Sequence, residues 1–150
     1  MGFSAGGHLA AAASTNFSQT LIDNPENISL RPDFSLLIYP VISFTDSLTN
    51  KGSRDNLIGK NPLEEGKLKY SNELRVTPQT PPAFLVHASD DSPVPVANSI
   101  VYFQALLKFK IYSGLILYPG GGHGFGMNNK TTSDKWMNHL QNWMTDNKFL

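Results

Sequence analysis

The sequence predicts an α/β fold of about three parallel strands with flanking helices. Three observations carry this. Phe34–Tyr39, Ala83–Val86 and Leu115–Tyr118 are short apolar runs without alternation, as suits strands covered on both faces. Amphipathic or small-residue stretches lie before, between and after them, the rhythm of strand–helix alternation. The chain also opens on Gly2-Phe3-Ser4-Ala5-Gly6, a G-x-S-x-G pattern expected of a sharp strand-to-helix turn.

Taken in order, Ala5 to about Thr15 reads as a helix, with Ala10–Ala13 small enough to pack closely on a sheet. The first apolar run ends at Pro40, the second is entered through Pro81-Pro82, and the third is bounded by Gly114 and Pro119. Residues 43–80 interrupt the rhythm. They are polar, carry Gly52, Gly59, Pro62, Gly66 and Pro78, and read as a cap-like insertion with a short helix or two over the carboxyl edge of the sheet. Val96, Ile100, Phe103 and Leu107 mark the apolar stripe of a further helix. Ser133 followed by Asp134 is the expected start of the last helix, with Trp136, Leu140 and Trp143 as its core face.

Composition narrows the function. The 150 residues can enclose one core, and 40% apolar with 16% charged residues describes a globular chain. With 12 basic and 12 acidic residues, nothing draws the chain to nucleic acid or to a membrane surface. There is no cysteine, so thiolate chemistry and disulfides are excluded. No apolar stretch approaches the roughly 20 residues that span a bilayer.

The chemistry-bearing residues follow one order: nucleophile, acid, histidine. A serine hydroxyl needs a base, and the base needs an orienting group. Ser4 stands at the turn. Asp90 and Asp91 follow the second apolar run; Asp91 is preferred as the acid, four residues after His87 and three before Val94, while Asp90 suits an Asx-turn or a helix cap. His123 follows the third run inside Gly120–Gly126, whose glycines let the imidazole turn back toward Ser4. His8 is expected to pack or bond locally, His87 to brace the acid loop, and His139 to be partly exposed. No histidine has a partner at metal-ligand spacing, so no metal and no cofactor is expected. The glycine-rich segment lacks G-x-x-x-x-G-K-[ST] and is no phosphate loop. Sequons at Asn16, Asn27 and Asn129 are short enough to arise by chance.

The segments MGFSAGGHLAA, RPDFSLLIYPVISF, GSRDNLIG, YSNELRVTPQTPPAFLVHASDDSPVPVANS and YPGGGHGFGM resemble bacterial α/β-hydrolases of the acetyl xylan esterase-like, carbohydrate esterase-like branch. The resemblance implies Ser4 as nucleophile, Asp91 as acid and His123 as base, with the backbone N–H of Ala5 as one oxyanion donor. It implies a small ester or acetylated carbohydrate as substrate. In that fold several strands and an HGGG-type loop precede the turn. Met1 therefore reads as an internal methionine, and the chain as the C-terminal part of an α/β-hydrolase fold with the N-terminal half of the sheet absent. Two other readings stay open: a serine peptidase of the prolyl-oligopeptidase type, and a truncated chain without catalysis. Acyl group, compartment and oligomeric state are not encoded legibly.

Overall fold

The computed structural model describes residues 1–19 and 23–150. At its centre is a parallel sheet of four strands in the order β1-β2-β3-β4: β1 Gly2–Phe3, β2 Ser35–Ile38, β3 Ala83–Ala88 and β4 Gly114–Tyr118. That is one strand more than expected. Gly2-Phe3 is too short to announce itself, and becomes a strand by pairing with Leu37 and Ile38.

β3 is buried along its whole length, as an interior strand covered on both faces must be. Its residues divide with period two. Ala83 and Leu85 join Ala11, Tyr102, Leu106 and Ile111 on one face; Phe84, Val86 and Ala88 join Trp136, Leu140 and Trp143 on the other. The first layer is built by helices α1 (Ala5–Asn16) and α4 (Ala97–Lys108), the second by α5 (Trp136–Asp146). β4 is the edge strand, and its Leu117 is 42% exposed.

Residues 43–80 hold α2 (Lys51–Ile58), α3 (Glu64–Lys69) and a 3-10 turn at Asn72–Arg75. Asn50 caps α2 by accepting the Ser53 N–H at 2.9 Å, and Gly59 ends it at φ 87°. α3 has Glu64 and Glu65 in its first turn and Lys67 and Lys69 in its last, matching the helix dipole. The segment is fastened beside the carboxyl ends of the strands, where Val41, Phe44 and Val94 pack with Ile58 and Tyr70.

Two helices differ from expectation. In α4 the buried residues are Asn98, Ser99, Tyr102, Ala105 and Leu106, while Leu107 is 51% exposed. The core face is turned by about a residue from the expected stripe: Val96, Ile100 and Phe103 are half-buried, Phe103 still packs against the core, and two polar side chains lie inside. Asn98 accepts the N–H groups of Ile42 and Ser43 at 2.9 and 3.0 Å and donates to the carbonyls of Leu48 and Pro95. α5 begins at Trp136, three residues after the expected Ser133. Asp134 is held outside the helix, its carboxylate accepting from His139 at 2.8 Å. The core face Trp136, Leu140 and Trp143 is buried as expected.

Candidate active site

Ser4 sits between β1 and α1 at φ 51° and ψ −120°, a backbone conformation costly for a residue with a Cβ. The surroundings over-determine it. Its N–H donates to the Ile38 carbonyl at 3.0 Å, and its carbonyl accepts from Gly7, His8 and Val41. Gly2 cannot carry a side chain, since a Cβ there would run into the Gly6 carbonyl and lie 2.7 Å from the Gly7 nitrogen. Gly7 is equally constrained: a Cβ would lie 2.7 Å from the Pro40 Cβ. The second glycine of the motif, Gly6, faces open space among the described residues.

Three side chains from three strand ends meet here. His123 Nε2 lies 2.8 Å from Ser4 Oγ, and His123 Nδ1 lies 2.7 Å from Asp91 Oδ2. Asp91 has a fully buried side chain, and the His123 side chain is 22% exposed. One ring nitrogen thus faces a carboxylate and must carry a proton to donate; the other is then free to accept from the serine hydroxyl. That is the arrangement of a base and its orienting acid beside a hydroxyl.

Asp91 takes two further donors. Its Oδ1 accepts the Val94 N–H at 2.9 Å, and its Oδ2 is also 3.1 Å from His87 Nε2. His87 Nε2 is 3.0 Å from the Val94 carbonyl as well. Two acceptors facing one nitrogen place the proton on Nε2, so Nδ1 accepts from the Ser99 hydroxyl at 2.8 Å. Burial pushes the His87 pKa down against the opposing pull of Asp91. The neutral imidazole therefore braces the acid loop.

The imidazoles of the remaining two histidines make their contacts elsewhere. His8 Nε2 donates to the Tyr70 carbonyl at 2.8 Å and its ring stacks on Phe44. His139 pairs with Asp134 in a half-exposed position. Asn129 is 1% exposed and its Nδ2 donates to the Gly120 carbonyl, so this sequon is structural and closed to a glycan. Among the described residues, no group of three or more His, Asp or Glu side chains is arranged to hold a metal ion.

Two residues at the site escaped sequence reasoning. Asp90 lies in the turn that follows β3 and does not cap α4. Its carboxylate accepts the N–H groups of Gly121 and Gly122 at 3.2 and 2.7 Å. Tyr39, at φ 38°, packs its ring 4.8 Å from those of His123 and Phe125 and accepts the Gly126 N–H at 3.1 Å. A tyrosine at a strand end carries no spacing signal, although the following Pro40 marks where the strand turns.

The prolyl oligopeptidase family model matches residues 1–148. An acetylxylan esterase of Xylanibacter ruminicola is 39% identical over 149 residues, covering 96% of this chain and 29% of the relative. Endo-1,4-beta-xylanase B of Butyrivibrio fibrisolvens is 38% identical, covering 91% of this chain and 22% of the relative. Among solved structures, an acetyl ester-xyloside bifunctional hydrolase from Caldicellulosiruptor lactoaceticus superposes with a TM-score of 0.91 at 39% identity. It covers 99% of this chain and 56% of that one. The chain thus spans less than a third of the length of these two relatives, and just over half of this solved structure.

Proposed function

The chain belongs to the prolyl oligopeptidase family, and from that premise we propose that it forms part of the catalytic domain of a serine esterase acting on small esters, acetylated sugars or xylo-oligosaccharides among them. The observation that carries the proposal is the continuous line of contacts from Ser4 Oγ through His123 to Asp91, at 2.8 and 2.7 Å. The two relatives named for acetylxylan and acetyl-ester hydrolysis support the substrate class.

In this reading His123 Nε2 takes the Ser4 proton as Oγ attacks the ester carbonyl. Asp91 holds the imidazole in the required tautomer and stabilises the charge that forms on it. The oxyanion meets the N–H of Ala5 at the start of α1, which has no backbone acceptor among the described residues. The C–O bond to the alcohol breaks, and the alcohol leaves with the proton from His123. Water, deprotonated by the same nitrogen, then splits the acyl-serine and returns the hydroxyl. We assign the 43–80 segment to the rim of the acyl site as a cap-like element, because Asn50 Nδ2 donates to the Pro93 carbonyl of the acid loop at 2.8 Å.

The family match itself favours a second reading, cleavage of prolyl peptides by the same three residues. Hydrolysis of p-nitrophenyl acetate, acetylated xylan and a prolyl p-nitroanilide, each compared with Ser4→Ala, separates the two. The esterase reading expects acetate release that falls by about 10³–10⁶-fold in the variant. Unchanged acetate release in Ser4→Ala sinks the nucleophile assignment; preference for the anilide moves the chain to the peptidases.

A further inference from the structure

The segment that carries the imidazole is poorly fixed by its own sequence. Five of the seven residues from Gly120 to Gly126 are glycine, and Gly121, Gly122, Gly124 and Gly126 adopt φ of 142°, 60°, 86° and 59°. Ordering glycine costs more backbone entropy than ordering any other residue. A base must nonetheless stand within a few tenths of an ångström of its serine. The order has to come from outside the loop.

Its two ends are held by neutral groups. Asn129 Nδ2 and Thr131 Oγ1 donate to the Gly120 carbonyl at 2.7 and 3.0 Å. At the other end Tyr39 Oη accepts the Gly126 N–H, and Trp136 Nε1 donates to the Gly126 carbonyl at 3.2 Å. The two amides immediately ahead of His123 go to one place, the carboxylate of Asp90. Consecutive N–H groups converging on an anion form a backbone nest, and a charged acceptor makes bonds roughly twice as strong as a neutral one. The Gly122 amide, followed by that of Gly121, holds the Asp90 carboxyl below the usual carboxylate range. Asp90 adjoins Asp91, whose Oδ2 accepts the hydrogen bond of His123 Nδ1–H. The Asp90-Asp91 dipeptide therefore grips both the ring and the backbone just before it.

We propose that Asp90 is a positioning residue of this site: by holding the Gly121 and Gly122 amides it sets where the His123 imidazole stands between Ser4 and Asp91. The inference rests on the reading of Ser4 and His123 as nucleophile and base. Asp90 is exposed and touches neither Ser4 nor a buried cluster, so its loss leaves the core intact. Its removal frees the loop rather than unfolding the chain.

The test compares the full chain with Asp90→Ala and with Asp90→Asn, the latter isosteric and still carrying a neutral acceptor oxygen. Amide hydrogen exchange at Gly121 and Gly122, the downfield proton resonance of the His123–Asp91 hydrogen bond, and the rate of Ser4 phosphonylation by a fluorophosphonate are read together. The expected result is exchange accelerated about tenfold or more in Asp90→Ala, a broadened or missing downfield resonance, and phosphonylation slowed by about 10–10²-fold. Asp90→Asn is expected to fall between, with the near-UV circular dichroism of both variants unchanged. Glycine amides and a downfield resonance that match the unsubstituted chain in both variants overturn the proposal. Failure of the unsubstituted chain to react at Ser4, with the resonance still lost in Asp90→Ala, overturns the nucleophile reading and leaves the positioning role standing.

Discussion

His87 shows how much a single buried side chain decides. Its Nε2–H is shared between Asp91 and the Val94 carbonyl, and its Nδ1 accepts from Ser99, so the neutral ring is fully satisfied. His87→Leu leaves the Val94 carbonyl and the Ser99 hydroxyl unpaired in the interior. We expect a loss on the order of 2–4 kcal/mol in denaturant unfolding. His8 is the second buried histidine, and burial depresses its pKa too, against the opposing bond to the Tyr70 carbonyl. Both groups bind protons less readily folded than unfolded. Their stabilisation is complete above the ordinary imidazole value of 6.5 and is lost as pH falls from there toward their folded pKa values. Thermal melts should therefore show a midpoint that drops as pH decreases below about 6.5, and His8→Gln should flatten that drop; a midpoint constant from neutrality to pH 5 contradicts it. That Ser4, Asp91 and His123 would meet was legible because Ser4 stands in the G-x-S-x-G pattern and Asp91 and His123 each follow an apolar run, in one recognisable order. Asp90 and Tyr39 were not, because their partners lie 31 or 32 and 87 residues further along the chain, and no local pattern records such a distance.

The elements were read well where the core is apolar and poorly where it is polar. β2, β3 and β4 lie within or beside the apolar runs that announced them, and α5 buries the tryptophan stripe its period implied. The expected stripe on α4 misses the centre of its buried face because that face includes Asn98 and Ser99, which hydropathy places outside. Their burial is explained only by what they hold: Asn98 ties the start of α4 to the chain leaving β2, and Ser99 to His87. Asn98→Ala strands two buried N–H groups and should cost on the order of 2–4 kcal/mol in denaturant unfolding. A loss below about 0.5 kcal/mol, typical of surface changes, would show that α4 is not held this way. The elbow makes the complementary case for glycine. At Gly7 a Cβ would meet the Pro40 Cα and Cβ at 2.9 and 2.7 Å, and neither backbone can withdraw without moving α1 off β2. Gly7→Ala is expected to lose about 1–3 kcal/mol and to displace Ser4, whereas Gly6→Ala, with nothing within 4 Å, should be tolerated.

The same glycine points to an asymmetry of the molecule as a whole. The first charged side chain in the sequence is Asp23, so α1 carries no charge on any face. A helix without a polar face normally lies inside a protein. Here one side is buried against the sheet through Ala11 and Gly7, while Ala5, Gly6, Leu9 and Ala13 are exposed, Leu9 to 72%. Beside this face β1 is the edge strand, with one side unpaired among the described residues, and Gly2–Phe3 carries no charged side chain or proline. The formal net charge is zero and the isoelectric point is 6.9, so long-range repulsion between copies is weakest near neutrality. An uncharged helix face, an unguarded edge and no net repulsion together favour association of the 150-residue chain with itself. Sedimentation velocity at pH 7 should show a weight-average mass that rises with concentration above the 16.5 kDa of one chain. Leu9→Glu puts a charge in the middle of the exposed face without touching the contacts of Ser4, and should shift the distribution toward the single chain. On the proposed esterase reading, activity per chain should then depend on concentration in the unsubstituted protein and lose that dependence in Leu9→Glu, because Ala5, whose N–H is proposed to meet the oxyanion, lies on the same face. A sedimentation profile at the mass of one chain over about a hundredfold range of concentration would show that α1 tolerates water.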